Sequence, residues 1–78
     1  MITARLEYWR VFAITQGFCR LSGRVYGDRH GRFGDGEYIQ TSHIVRVDLN
    51  NSLVVTRNST YKLGVPADDA ERDKLKDI

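Results

Sequence analysis

The chain has 78 residues, with 12 Lys+Arg, 10 Asp+Glu, a single cysteine and a formal net charge of +2. At this length folding buries only about 60% of the unfolded surface, which leaves room for one domain with one small core. A lone Cys19 excludes an internal disulfide, and no Cys/His group has the number or spacing of a structural zinc site, so the core holds the fold alone or with a second copy.

The N-terminal stretch carries Arg5, Glu7 and Arg10 where a secretory signal needs an unbroken apolar run. No segment approaches the roughly 20 apolar residues of a membrane span, so a cytoplasmic protein with a reduced thiol and no membrane association is expected. Asn50 and Asn58 head N-x-[ST] matches and read as turn asparagines. Nine of the twelve Lys+Arg but only five of the ten Asp+Glu fall in residues 1–65. An arginine-rich body thus precedes a mildly acidic tail, a balance that suits an anionic partner or simply solubility.

Period-2 alternation bounded by turn residues dominates the body and predicts strands. Leu6 to Ile14 and Phe18 to Tyr26, joined by Thr15-Gln16-Gly17, predict a hairpin with its glycine in the left-handed conformation. Placing Ile14 opposite Phe18 pairs Ala13 with Cys19, Val11 with Leu21 and Trp9 with Gly23 on an apolar face that must be core. The opposite face then pairs Phe12 with Arg20, Arg10 with Ser22 and Tyr8 with Arg24. Arginine stems and aromatic rings there either shield one another on a solvated face or present a binding surface, since these types dominate interface anchors and base-stacking platforms.

Residues 27–36 hold four of the seven glycines and read as a loop. Asp28, His30, Asp35 and Glu37 suggest a cation site, and Gly31, Gly34 and Gly36 a phosphate cradle. Arg29 and Arg32 would repel a cation, however, and the segment leads into the strand pattern Glu37-Tyr38-Ile39-Gln40-Thr41 rather than into a helix with a Gly-Lys-[Ser/Thr] element. Neither metal nor cofactor is expected. A flexible loop that touches a partner through Arg29 and Arg32 is, because recognition residues concentrate on such loops.

A meander follows: Tyr38 to Thr41, His43 to Leu49, Leu53 to Arg57 and Thr60 to Leu63, with Asn50-Asn51 and Asn58-Ser59 at the tight turns. Leu49 opposite Ser52 sets Val47 against Val54 and Val45 against Thr56, while Thr60 opposite Arg57 sets Tyr61 against Thr56 and Leu63 against Val54. Trp9, Val11, Leu21, Val25, Val45, Val47, Val54 and Leu63 form the expected core. His43 reads as a surface or edge residue. After Gly64-Val65-Pro66, Asp68 and Glu71 resemble a capping box opening a short C-terminal helix, docked weakly through Ala70, Leu75 and Ile78.

The organisation expected is a β-hairpin and meander domain over residues 1–65 with a polar helix or tail over residues 66–78. Two apolar-faced units can bury those faces only against each other, which predicts a mainly β fold. Its five or six strands form a strongly bent antiparallel sheet that closes into a small SH3-like or OB-like barrel. A flatter sheet paired with a second copy is the alternative, so monomer and homodimer both remain open.

The run GDRHGRFGDGEYIQTSHIVRVD followed by VVTRNSTYKLG resembles the small accessory proteins of bacteriophages and prophages. The compact, cofactor-free format is also similar to phage anti-defence proteins, including anti-CRISPR inhibitors. That resemblance implies a host-directed binder that occludes a surface on a bacterial protein or ribonucleoprotein complex. The class shares no motif, so it assigns no site residues.

Catalysis is not expected, because a nucleophile needs a base within reach and a group to orient it, and two histidines with one core-facing thiol offer neither. The residues read as partner-binding are Tyr8, Arg10, Phe12, Arg20, Arg24, Arg29 and Arg32, facing an acidic partner surface or, in the alternative reading, nucleic acid.

Overall fold

The computed structural model describes residues 1–15 and 17–76, and every side chain among them except those of residues 13–15. Its strands are β1 (Ala4–Thr15), β2 (Phe18–Tyr26), β3 (Glu37–Gln40), β4 (Ile44–Asp48), β5 (Leu53–Thr56) and β6 (Thr60–Leu63), followed by helix α1 (Asp69–Lys76). All six strands share one sheet in the order β3-β2-β1-β6-β5-β4. The sheet is mixed rather than antiparallel throughout, because β1 is a central strand and β6 returns beside it in the same direction, with Ala4, Arg5 and Leu6 opposite Tyr61, Lys62 and Leu63.

The two edges, β3 and β4, are not paired with each other, so the ladder stays open where a closed barrel was expected. The sheet is nonetheless strongly curled. Laid flat, six strands would separate those edges by roughly 24 Å. The chain between Gln40 and Ile44, four Cα steps, spans at most about 15 Å, so the edges must approach each other. Thr41 and His43 fill the gap. The Thr41 amide donates to the Leu21 carbonyl at 2.8 Å, and Thr41 Oγ1 accepts from the Leu21 amide at 3.0 Å.

Bulges in β1 and β4 set which side chains enter the core. In the β1–β2 hairpin, Arg10↔Ser22, Val11↔Leu21, Phe12↔Arg20 and Ala13↔Cys19 follow the expected register, but Glu7, not Tyr8, lies opposite Arg24, and Thr15, not Ile14, opposite Phe18. Tyr8 and Trp9 together oppose Gly23, and Tyr8 takes a left-handed φ of 54°. The extra residue inverts the alternation, so that Ala4 and Leu6 join Trp9 and Val11 inside while Arg5 and Glu7 turn outward. Gly23 makes room, since a Cβ there would lie 2.8 Å from the Glu7 carbonyl oxygen.

A further bulge lies in β4. Val47 faces Val54 as expected, but Ile44, not Val45, faces Thr56. Ile44 is therefore buried, whereas Val45 is 56% exposed and leaves the expected core. Between β5 and β6 the register is displaced by two residues, with Val54 opposite Tyr61 and Val55 opposite Thr60. A shift of two preserves the face, so Val54, Tyr61 and Leu63 all remain buried.

Trp9, Leu6, Leu21, Val25, Val54 and Leu75 are fully enclosed, each worth roughly 1.5–3 kcal/mol by analogy with buried apolar side chains of this size. The indole N–H of Trp9 donates to the Gly64 carbonyl at 3.0 Å, so the largest core residue buries no unpaired donor. Beyond Leu6, where β6 ends, the tail takes over the free side of β1. Tyr8 donates to the Val65 carbonyl, Ala67 donates to the Trp9 carbonyl, and the Val11 amide donates to the Glu71 carboxylate at 2.7 Å. Leu75 and Glu71 are the buried residues of α1, while Ala70 is exposed and Ile78 lies outside the described residues. Asp68 Oδ1 accepts from the Ala70 amide at 3.0 Å, as an N-cap does, but the Glu71 side chain serves Val11 instead of completing a capping box.

A candidate binding face on the first three strands

Because the bulge inverts the alternation at Tyr8, the outward face of β1 and β2 pairs Arg5 with Tyr26, Glu7 with Arg24, Arg10 with Ser22 and Phe12 with Arg20. β3 extends it, placing Tyr38 beside Arg24 and Gln40 beside Ser22. Among the strand residues of this face Arg5, Arg10, Arg20 and Arg24 stand against one acid, Glu7, with Asp68 and Glu71 of the tail beside Arg10. Tyr8, on the bulge, and Tyr38 are 60% and 55% exposed, so large rings face solvent beside the guanidinium groups.

The guanidinium groups lie over rings in three places: Arg5 over Tyr26 at 5.0 Å, Arg24 over Tyr38 at 5.7 Å and Arg20 over Phe18 at 5.4 Å. Each pair of this kind contributes roughly 0.5–1 kcal/mol at an exposed site. Arg5 Nε also meets the Glu7 carboxylate at 2.7 Å, and Glu7 in turn accepts from the Val65 amide at 2.7 Å. Arg10 reaches Asp68 at 3.4 Å and the rim of Glu71 at 4.0 Å. Arg24 donates to the Gly36 carbonyl at 3.1 Å.

Tyr8, Arg10, Phe12, Arg20 and Arg24 are thus brought together, although Tyr8 and Arg24 are not the cross-strand pair expected. Arg29 and Arg32 go elsewhere. Arg29 donates its amide to the Thr3 carbonyl and lines a groove of about 450 Å³ with Arg5, Tyr26 and Asp35, at one end of the face. Arg32 remains exposed but is tied down, bonded to Asp28 of its own loop and, at 3.0 Å, to Ser59 Oγ. The Asp28 side chain is enclosed and accepts from the amides of His30, Arg32 and Phe33. Burial alone would raise its pKa, but the hydrogen bonds and charge of Arg32 with these amides hold it below the ordinary carboxylate value.

The acids that suggested a cation site are therefore occupied by the loop itself, with Asp35 accepting from the Gly27 amide and Glu37 from the Gly34 amide. Among the described residues no three His, Cys, Asp or Glu side chains converge on a point that would hold a metal. Among the described residues no helix is long and apolar enough to cross a membrane.

Sequence reasoning missed Arg5, Phe18, Tyr26 and Tyr38 as members of this face. The signal was present in Ala4-Arg5-Leu6-Glu7, where apolar residues occupy even positions, followed by Trp9-Arg10-Val11, where they occupy odd ones. Comparison with known protein families, with curated sequences and with solved structures finds no match to this chain.

Proposed function

We propose that this protein is a non-catalytic binding module that occludes a surface on a bacterial host protein or ribonucleoprotein complex, in the manner of the phage anti-defence proteins, anti-CRISPR inhibitors among them, that it resembles in format. The observation that carries this reading is the outward face of β1, β2 and β3, where four arginines stand beside the exposed rings of Tyr8 and Tyr38 and the strands themselves contribute one acid, Glu7. Arginine, tyrosine and large rings are the types that carry binding energy at protein interfaces, and a basic patch complements an acidic one. A curled sheet presents them on a rigid support, which lowers the ordering cost of binding.

The test compares wild type with an Arg20→Glu/Arg24→Glu variant as bait in bacterial lysate, with and without nuclease. This reading expects a protein retained by wild type after nuclease and lost by the variant. Capture that vanishes with nuclease would instead favour a basic sheet face that stacks bases on Tyr8 and Tyr38. Identical capture by both baits would remove the face from the binding reaction.

A further inference from the structure

Arg20 differs from the other arginines of the face. Arg5 has Glu7, Arg10 has Asp68 and Glu71, and Arg24 has the Gly36 carbonyl, but Arg20 Nε is buried with no hydrogen-bond partner among the described residues. Its guanidinium is held down on Phe18. Phe18 is itself stacked on His43, ring centroids 4.6 Å apart at 14°, and His43 Nδ1 lies 3.3 Å from the Cys19 amide nitrogen and 3.1 Å from its carbonyl oxygen. A guanidinium N–H removed from water without an acceptor is rare in folded proteins and unfavourable. The stack of Arg20, Phe18 and His43 therefore holds a charged donor folded against aromatic surface in a state that an incoming acceptor would relieve.

We propose that Arg20 is the anchor of the binding face and that its ligand is a single side-chain carboxylate of an acidic protein partner, which draws the guanidinium off Phe18 into a two-point contact. This deepens the reading above and rests on it. A carboxylate has the planar pair of oxygens that matches the arginine fork. Nucleic acid fits less well. Its affinity comes from several phosphates neutralised in a row, and here three of the four arginines already have acceptors within the protein.

The probe is a hexaglutamate peptide, titrated against labelled protein while the side-chain Nε–H resonance of Arg20 is followed by NMR. The expected result is a shift of that resonance on binding and about tenfold weaker binding for Arg20→Lys, which keeps the charge but loses the fork, with Arg24→Lys changing affinity by less than roughly threefold. Unchanged backbone amide shifts away from residue 20 verify that each variant is folded. Peptide binding that leaves Arg20 Nε–H unmoved, or equal affinity for Arg20→Lys, would overturn the anchor while leaving an acidic partner for the face intact. Binding of a thymidine oligonucleotide but not of the peptide would overturn both.

Discussion

The Glu71 carboxylate of α1 accepts the backbone N–H of Val11 in β1 at 2.7 Å, so a helix side chain occupies the place of a missing strand. Lys74 holds the other carboxylate oxygen at 2.8 Å. Truncation by Glu71→Ala leaves the Val11 amide buried and unpaired, and an unfolding free energy lower by about 1–3 kcal/mol is expected in urea titrations. A change inside error would mean that water replaces the carboxylate at no loss.

The same contact predicts a pH response. Burial acts to raise the Glu71 pKa, but the Lys74 hydrogen bond, the Val11 amide and the charges of Lys74 and Arg10 outweigh it and leave the pKa lowered. A depressed folded-state pKa contributes stability that is complete above the unfolded value of about 4.3 and is lost as pH falls through the folded value. Asp28 and Asp48 are lowered too and act in the same direction. Thermal melts from pH 7 to pH 2 should therefore show a fall confined to the acid side of pH 5 or so, with a shallower fall in Glu71→Gln. Equal slopes for the two proteins would exclude Glu71 from the linkage.

The β4 bulge separates two adjacent apolar residues. Ile44→Ala should lose about 2–5 kcal/mol, whereas Val45→Ala should stay within about 0.5 kcal/mol of wild type. Equilibrium unfolding followed by Trp9 fluorescence measures both, and a larger loss at Val45 would place the bulge one residue away.

Gly23→Ala tests the β1 bulge. The new methyl group would meet the Glu7 carbonyl oxygen at 2.8 Å and the Leu6 side chain at 3.0 Å. Backbone cannot yield as a side-chain tip can, so a loss of about 1–3 kcal/mol is expected. A neutral substitution would show that Tyr8 and Trp9 relax easily back to regular pairing.

Arg32 and Arg24 should separate stability from binding. Arg32→Glu sets a second carboxylate against Asp28 and removes the bond to Ser59, so its melting temperature should fall by several degrees. Arg24→Gln gives up only exposed contacts, to the Gly36 carbonyl and the Tyr38 ring, together worth about 1 kcal/mol or less, and should melt closer to wild type than Arg32→Glu does. The reverse order, read by differential scanning calorimetry, would return Arg32 to the candidate surface.

Strand positions and the hairpin glycine were legible because period-2 alternation and turn chemistry are local, and Gly17 does adopt a φ of +75°. Face assignment failed at Val45 and around Tyr8 for one shared reason. A regular register was carried through a phase change, apolar residues at 4 and 6 giving way to 9 and 11, and Ile44 giving way to Val47. A bulge is the backbone's answer to such a change. The parallel pairing of β1 with β6, and the substitution of Glu71 for a strand, join segments with no local signal of each other. The candidate face was legible in its arginines, but which of them lacked an acceptor depends on Glu7, Asp68 and Gly36, whose positions only the fold supplies.

The pairing of β1 with β6 also joins segments that are made far apart in time. On a ribosome both strands of the β1–β2 hairpin are out once Tyr26 emerges, but Trp9 still lacks Gly64, 55 residues beyond it in the chain, as the acceptor for its indole. Closing so long a loop is slow, and until it closes the apolar side of the hairpin lies open to other chains. Trp9 emission in a refolding experiment should therefore reach its native value only when the last strand has arrived.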